Sequence, residues 1–366
     1  MPEGKGRQPF PSGMKGFNMC EIGKYIYGIV SNGNQKSIGL YGSSACNGVH
    51  FIPYLDIAAV VKDAEIVNYT HMFKDILARA LVEHQKIIEQ IMDMGCLIIP
   101  VRLGTFVMNE VEVKNVLSKG YSLIKDIIPK ISDKVEIDVV CTWSDFTSVI
   151  REVGQLREIE AVKEKLLSNP KGITVDDQMK VGVMVKNILD QLREWYSSQI
   201  QNALKTLCVG CMKHELMDDR MVANIAFLVN KARQKDFHAK VEYLDNEFGG
   251  KLNFRCVGPL PSYSFFTLEI KKMQFEDVDW ARKKLRITNA PVNKNEIKRA
   301  YQRQAFSFHP DKNPGKPGIE REFEEINKSY NILLDYATSC AQAGEESFYF
   351  NEDEFKKNAI LVKVRE

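Results

Sequence analysis

Six histidines and eight cysteines are the side chains best suited to chemistry in this chain of 366 residues. Most stand alone. His50, His71, His84 and His238 have no acid, base or nucleophile in a recognisable pattern around them, and His71 and His84 fall on a helix whose apolar face accounts for them. Cys20, Cys46, Cys96, Cys141, Cys256 and Cys340 are scattered singly. Cys208 and Cys211 form a C-x-x-C with His214 three residues on. That set supplies at most three zinc ligands, and no second pair completes a tetrahedron. Embedded in LCVGCMKHEL, the pair also lacks the helix N-terminus that lowers a redox thiol's pKa. Ordinary buried thiols are expected. No Walker loop, G-x-S-x-G, H-E-x-x-H or strand-borne G-x-G-x-x-G is present, so no enzyme, cofactor or metal is expected. His309 is different, because Pro310 and Asp311 follow it at once.

The tripeptide has a specific setting. Ile297, Ala300, Tyr301, Ala305 and Phe308 recur at the spacing of one helical face, while Lys294, Lys298, Arg299 and Arg303 lie mostly off it. Pro310 pushes His309 out of the α region and offers no amide proton, so the helix must end there. His309, Pro310 and Asp311 are therefore expected on a solvent-facing loop beside a cationic helix. Asn313 to Gly318, NPGKPG, continues that loop. A second helix follows, with Phe323, Ile326, Tyr330 and Leu333 as its stripe and Glu320, Glu322, Glu324 and Glu325 near its positive start. Two such helices fold back as an antiparallel hairpin.

With KRAYQRQAFSFHPDKN and FEEINKSYNIL in place, the region from Phe275 to Thr338 resembles the J domain of DnaJ-type co-chaperones. Two departures stand out. The first short helix, DVDWARKKLRIT, has Arg286 where that family usually has glycine, and neither a Gly/Phe-rich segment nor a cysteine-rich zinc module follows. The resemblance implies that His309, Pro310 and Asp311 engage a DnaK-type chaperone and speed its ATP hydrolysis, His309 not acting as a catalytic base. Lys294, Lys298, Arg299 and Arg303 would add attraction to an acidic partner, raising association rate more than affinity.

A J-like hairpin fills a small part of the chain, so the client must be chosen by the rest. The formal net charge of +2 gives no global field for nucleic acid. No apolar run approaches the ~18 residues of a membrane span. MPEGKGRQPFPSGMKGFN lacks an apolar core, which makes residues 1–22 a disordered lead-in rather than a signal peptide. A cytoplasmic location is expected.

In order, Lys24–Val30 reads as a strand, Ser31–Asn34 as a turn, and Ile38–Tyr41 with Val49–Ile52 as a hairpin. Leu55–Val61 is another strand. Thr70 caps a helix with Phe73, Ile76, Leu77, Ala80, Leu81, Ile87, Ile88 and Ile91 on one face, ended by Gly95. Leu97–Val101 is a strand, Glu110–Ile128 a helix halted by Pro129, and Val135–Trp143 an alternating strand. The pattern predicts a mixed sheet with two helices on one face, spanning 23–143. Residues 144–206 read as a helical hairpin turning at Asn169–Gly172, with Thr174 and Asp177 as a capping box. A second α+β unit at 207–272 holds strands at Cys208–Leu216, Val222–Val229, Leu252–Val257 and Phe266–Ile270, and a helix at Lys231–Phe248 closed by Gly249. Lys271 and Lys272 begin a linker to the J-like region at 275–338. Residues 339–366 form a tail in which Ile360–Val364 suits a terminal strand. The fold class is thus α+β: two ferredoxin-like sandwich units joined by a helical hairpin, then a small all-α unit.

Two stretches look like contact surfaces. Arg102, Gly104 and Thr105 follow an apolar strand at its C-terminal end, where they form either a partner surface or simply an ion pair and a tight turn. In the stretch from Gly258 to Phe265, Pro259 and Pro261 are expected to prevent regular ladder pairing and hold Tyr263 and Phe265 on a rigid spur, which either docks a partner or braces the two units. YIYGIV, PVRLGTF, VEIDVVCTW, NIAFLVNKARQKDFHAKVEYL and GPLPSYSF together resemble the GvpF/GvpL family of gas vesicle proteins, with Ser262 replacing a usual proline. The resemblance implies gas vesicle shell protein and other gas vesicle accessory proteins as partners, and an assembly role associated with gas vesicles. A minor wall component with a vestigial J-like tail, or a general co-chaperone, are the competing readings.

Overall fold

The computed structural model describes residues 21–31, 48–70, 72–168, 172–288 and 291–365. The expected lead-in falls outside these but for Glu21 and Ile22, as do most of the turn at Ser31–Asn34, the hairpin limb at Ile38–Tyr41, His71, Cys20, Cys46 and Asn169–Lys171.

The first unit comprises β1 (Ile22–Ser31), β2 (Val49–Tyr54), β3 (Ile57–Glu65), α1 (Lys74–Asp93), β4 (Ile98–Pro100), β5 (Phe106–Val107) and α2 (Glu110–Ile131). Its antiparallel sheet runs β2-β3-β1-β4, with β5 also on β1. The two helices lie on opposite faces, not on one as the pattern predicted. Ile57, Ala59 and Val61 share a core with Val113, Val116, Leu117 and Ile124 of α2, whereas Ala58 and Val60 pack with Ile87, Ile88 and Ile91 of α1. A sheet covered twice needs apolar residues at successive positions, which is why IAAVV does not alternate. Two further boundaries move. Pro129 sits inside the last turn of α2, where the helix runs on to Ile131. Thr70 does not cap α1, which starts after Phe73 without a side-chain cap. Only the second half of the expected apolar face of α1 is buried. Phe73 is 81 % exposed, and Ile76, Leu77 and Leu81 are also exposed among the described residues.

The second unit starts earlier than expected. β6 (Lys134–Trp143) does not close the first sheet; it is an interior strand of the second, which runs β7-β8-β6-β9. Between β6 and β7 (Gly210–Lys213) come α3 (Phe146–Gly154), α4 (Arg157–Leu167) and α5 (Val175–Leu204), so the hairpin has three helices, the last opened by the Thr174–Asp177 capping box. β8 (Met221–Asn230), α6 (Gln234–Glu247) and β9 (Leu252–Leu260) complete the sheet. Val135, Ile137, Val139 and Cys141 of β6 face Ile200 and Leu204 of α5 and Phe237 and Val241 of α6. Their alternates, Glu136 and Asp138, point the other way.

A one-turn helix, α7 (Tyr263–Phe266), leads to β10 (Leu268–Lys272). β10 leaves the second unit: Leu268 bridges Val101 in parallel, and the strand pairs along its length with the terminal β11 (Ile360–Val364). Lys271 and Lys272 are therefore strand residues, not a linker. Between these two strands lie α8 (Phe275–Lys284), α9 (Lys294–Ser307), α10 (Ile319–Gln342) and α11 (Glu352–Asn358). Ile297 and Ala300 of α9, Leu333, Tyr336 and Ala337 of α10, and Phe348, Phe350, Phe355 and Leu361 share one core. The J-like unit thus takes part of its interior from the supposed tail.

After α8, Arg286 holds φ 55°, the left-handed region that costs an L side chain about 1 kcal/mol or more. Its side chain is exposed. Arg286→Gly removes that cost and adds some unfolded-chain entropy, so a net stabilisation of about 0.5 kcal/mol is expected, read as a rise in urea midpoint.

Candidate functional site

The two motifs singled out in the body meet in space. A groove of 870 Å³ is lined by Tyr69, Leu77, Leu81, Arg102, Gly104 and Tyr263, among others. Its floor is a buried hydrogen-bond chain. His84 Nε2 lies 2.9 Å from the Val101 carbonyl, which can only accept, so this nitrogen carries the proton. Nδ1 then accepts from the Tyr25 hydroxyl at 2.7 Å, and Tyr25 in turn accepts from the Gly104 amide at 3.3 Å. Burial pushes the His84 pKa down to about 4, against a smaller upward pull from the Val101 carbonyl. Nothing in the sequence marked Tyr25 as its partner, because 59 residues separate them.

On this floor the loop after β4 is fixed. Gly104 takes φ 82°, and a Cβ there would lie 2.8 Å from the Tyr69 ring. Thr105 is buried and its hydroxyl donates to the Arg102 carbonyl at 2.7 Å. The Arg102 guanidinium pairs with Glu269 of β10 at 2.6 Å while remaining 53 % exposed at the groove mouth. The ion pair and the tight turn are therefore both present.

The GPLPSYSF stretch breaks the regular ladder as expected, but only over two residues. Regular pairing with β6 stops after Val257, skips Gly258 and Pro259, and resumes at Leu260, which pairs with Glu136 after a shift of register. Gly258 takes φ 145°, and a Cβ would meet the Glu136 carbonyl at 2.8 Å. After buried Pro261 the chain turns into α7, whose side chains point to both units. The Tyr263 hydroxyl reaches the Gln85 carbonyl on α1 at 3.5 Å, and the Phe265 ring lies against Gly210 of β7. Ser264 donates from its amide (2.8 Å) and hydroxyl (2.7 Å) to the Glu136 carboxyl, and His214 Nε2 sits 3.0 Å from the same hydroxyl. The spur braces the two units. Glu136 is 1 % exposed, and that burial pushes its pKa up to about 8, with Asp138 adding to the rise and the Ser264 bonds opposing it. The two acids in VEIDVVCTW were the available signal for this anchor, since both fall on the face away from the apolar core. His214 is thus engaged with Ser264, while Cys211 accepts from Gln201 Nε2 at 3.1 Å.

In the J-like unit, α9 opens on an Asn293–Glu296 capping box, and Tyr301 stacks on Tyr330 of α10 with ring centres 4.3 Å apart. The helix ends at Ser307 as the proline requires. His309 is extended, its Nδ1 accepts the Asp311 amide at 3.2 Å, and its ring rests edge-on against Phe323. Nε2–H is left for a partner. Asn313 donates to the Ser307 and His309 carbonyls at 3.0 and 3.1 Å, closing the loop. The Asp311 carboxyl is 89 % exposed. Lys294, Lys298, Arg299 and Arg303 are exposed, and among the described residues none is ion-paired. They form an unneutralised cationic face beside the tripeptide.

The two buried groups impose opposite pH dependences. His84 has a depressed folded pKa, so unfolded chains bind the extra proton and stability falls as pH drops from about 6.5 toward 4, by about 3 kcal/mol at most. Glu136 has a raised folded pKa, so its contribution is present below about 4.5 and is lost as pH rises through about 8. Between about pH 4.5 and 6.5 the two slopes cancel, so melting temperatures should be level there and fall from about 6.5 to 8; His84→Gln should extend that fall down to about pH 4.5, and Glu136→Gln should remove it and expose a fall toward acid below about 6.5.

Comparison with known proteins agrees with both halves. Residues 23–267 match the family described as gas vesicle synthesis protein GvpL/GvpF, and residues 284–339 match the DnaJ domain. Gas vesicle protein F of Microcystis aeruginosa is 20 % identical over 256 residues, 68 % of this chain and 99 % of the relative. Gas vesicle protein F of Haloferax mediterranei is 20 % identical over 67 % of this chain and 94 % of its own length. The chaperone protein DnaJ of Paramagnetospirillum magneticum is 51 % identical over 41 residues, 11 % of each protein. The crystal structure of GvpF from Anabaena sp. superposes with a TM-score of 0.54 at 21 % identity, covering 66 % of this chain and 97 % of that one. With well over half of its length matched in this way, the chain belongs to the GvpL/GvpF family of gas vesicle proteins and carries a J domain between the two paired strands of its C-terminal part.

Proposed function

We propose that this protein assists gas vesicle assembly by holding shell subunits with its GvpF-like body and bringing a DnaK-type chaperone to them with its J domain. The role is non-enzymatic: the chain supplies binding surfaces, and the ATP-consuming step belongs to the chaperone. The observation that carries the reading is the pairing, in one chain, of a partly exposed His309-Pro310-Asp311 loop beside unpaired cations with a body that leaves apolar side chains exposed at its groove.

The family implies a client with a strong need for such help. A gas vesicle shell is built of small apolar subunits whose gas-facing surface is buried only on assembly, and such a patch drives aggregation until then. Leu77, Leu81 and Tyr263 line the groove, and exposed Phe73 and Ile76 lie within four residues of Leu77 in the chain. Arg102, Gly104 and Thr105 shape the opposite wall. Gly258, Pro259, Pro261 and Phe265 act behind it, setting Tyr263 in place rather than meeting the client. On the other unit, the cations of α9 attract an acidic chaperone surface and the His309 loop makes the specific contact.

Two measurements test the halves separately. His309→Gln should abolish stimulation of DnaK ATPase while leaving shell-protein capture intact; unchanged stimulation sinks the chaperone half. Leu77→Asp with Leu81→Asp, both at exposed positions, should reduce capture of shell protein in a pull-down by about tenfold, the equivalent of about 1.4 kcal/mol, and leave ATPase stimulation as it was.

A further inference from the structure

The J domain is not hung from the end of the body on a linker. Leu268 through Lys272 pair in register with Val364 through Ile360, and everything between is looped out from this strand pair. Entry and exit are both clamped by α10. Asp335 pairs with Lys271 of β10 at 2.5 Å and with Lys363 of β11 at 3.2 Å. One and two turns along, Ser339 and Gln342 donate to the carbonyls of Ile360 (2.8 Å) and Val362 (2.5 Å). From the body, Lys119 of α2 donates to the buried Asn358 at 2.8 Å, and Glu112 pairs with Lys272 at 2.9 Å. Beside these polar ties is an apolar one: Leu361 lies in the core of the J domain and its neighbour Val362 in the core of the first unit. Lys363 also reaches within 3.9 Å of Glu269, the partner of Arg102, so the clamp and the groove share a carboxylate.

We infer that the body and the J domain form one rigid bracket, in which a chaperone engaged at His309–Asp311 is held at a fixed orientation to whatever occupies the groove. This rests on the chaperone reading above for its functional half. A flexible tether would offer the chaperone a millimolar-scale local concentration averaged over many orientations. A fixed mount removes that averaging: the loss of rotational freedom is met when the protein folds, and handover from groove to chaperone needs no further search. Asp335, Ser339 and Gln342 are positioning residues in this scheme, since they touch neither partner.

The test uses the full chain with Asp335→Ala, Ser339→Ala and Gln342→Ala combined, and Asp335→Asn as the milder variant should the triple change fail to fold. Fluorophores introduced as unnatural amino acids at exposed Lys86 on α1 and Gln302 on α9 report the distance between body and J domain by single-molecule energy transfer. The unaltered protein should give one narrow distribution, and the clamp variant a broad one. Stimulation of DnaK ATPase without shell protein should stay within about twofold, because the His309 loop is untouched, whereas the extra stimulation on adding gas vesicle shell protein should fall by about fivefold or more. A broad distribution in the unaltered protein overturns the inference, and so does full extra stimulation by a variant whose distribution has broadened. No stimulation by the unaltered protein would instead overturn the chaperone reading and with it the functional half of this one, while the distance measurement judges the bracket by itself.

Discussion

β11 is a wall common to two interiors, and the arrangement of the whole chain depends on it. The period of two along a strand sends Leu361 to one side and Val362 to the other. On one side Leu361 meets Tyr336 and the phenylalanines of the J domain; on the other Val362 meets Ile124 and Leu268 of the body. A five-residue strand of this kind cannot belong to one unit alone. Its pairing with β10 and the side-chain donors on α10 also satisfy backbone groups that an edge strand would otherwise offer to another chain. The J domain and the body are consequently coupled by packing, which is non-directional and strong, with polar contacts fixing the register.

The same economy appears between the two sheets. A buried carboxyl is costly unless it is hydrogen-bonded or neutral, and Glu136 is held by two donors from Ser264 with a pKa that favours its protonated form. That anchor fixes α7, α7 fixes Tyr263, and Tyr263 forms one wall of the groove. On the facing side the Gly104–Tyr25–His84–Val101 chain fixes the loop that carries Arg102. The groove therefore has walls set by buried polar contacts on both sides and an apolar rim that nothing in the described structure covers. Rigid walls with an uncovered rim suit a surface whose partner arrives from outside.

Much of this was legible in the sequence, and the reasons differ by feature. The helical hairpin of the J domain was readable, because Pro310 dictates where α9 ends and the apolar stripe of α10 has a clean helical period, but the share of its core supplied by the tail was not. Strand positions were readable from β-branched runs, and the α+β class with them. Sheet membership was not. Val135–Trp143 reads as a strand in any context, but only long-range pairing with β8 and β9 decides that it belongs to the second sheet. The faces of α1 and α2 were misassigned for a related cause: periodicity shows that a helix has an apolar side, not which side of a sheet receives it. The first half of α1 shows the opposite failure, an apolar stripe that the fold leaves in solvent. Tyr25, His84, Glu136 and Asp335 went unread because each matters through a partner far away in sequence. Arg286 was noticed only as a departure from a family's glycine, and its positive φ supplies the physical meaning.

The order in which the ribosome delivers these pieces follows from the position of β11. Units generally fold as they emerge, N-terminal first. Here α2 and β10 appear long before the strand that covers and pairs with them, and α8 to α10 emerge before the phenylalanines that complete their interior. Neither interior has its full set of side chains while the nascent chain is short of Ile360. β11 thus completes two interiors at once, so the body and the J domain are closed by the same strand.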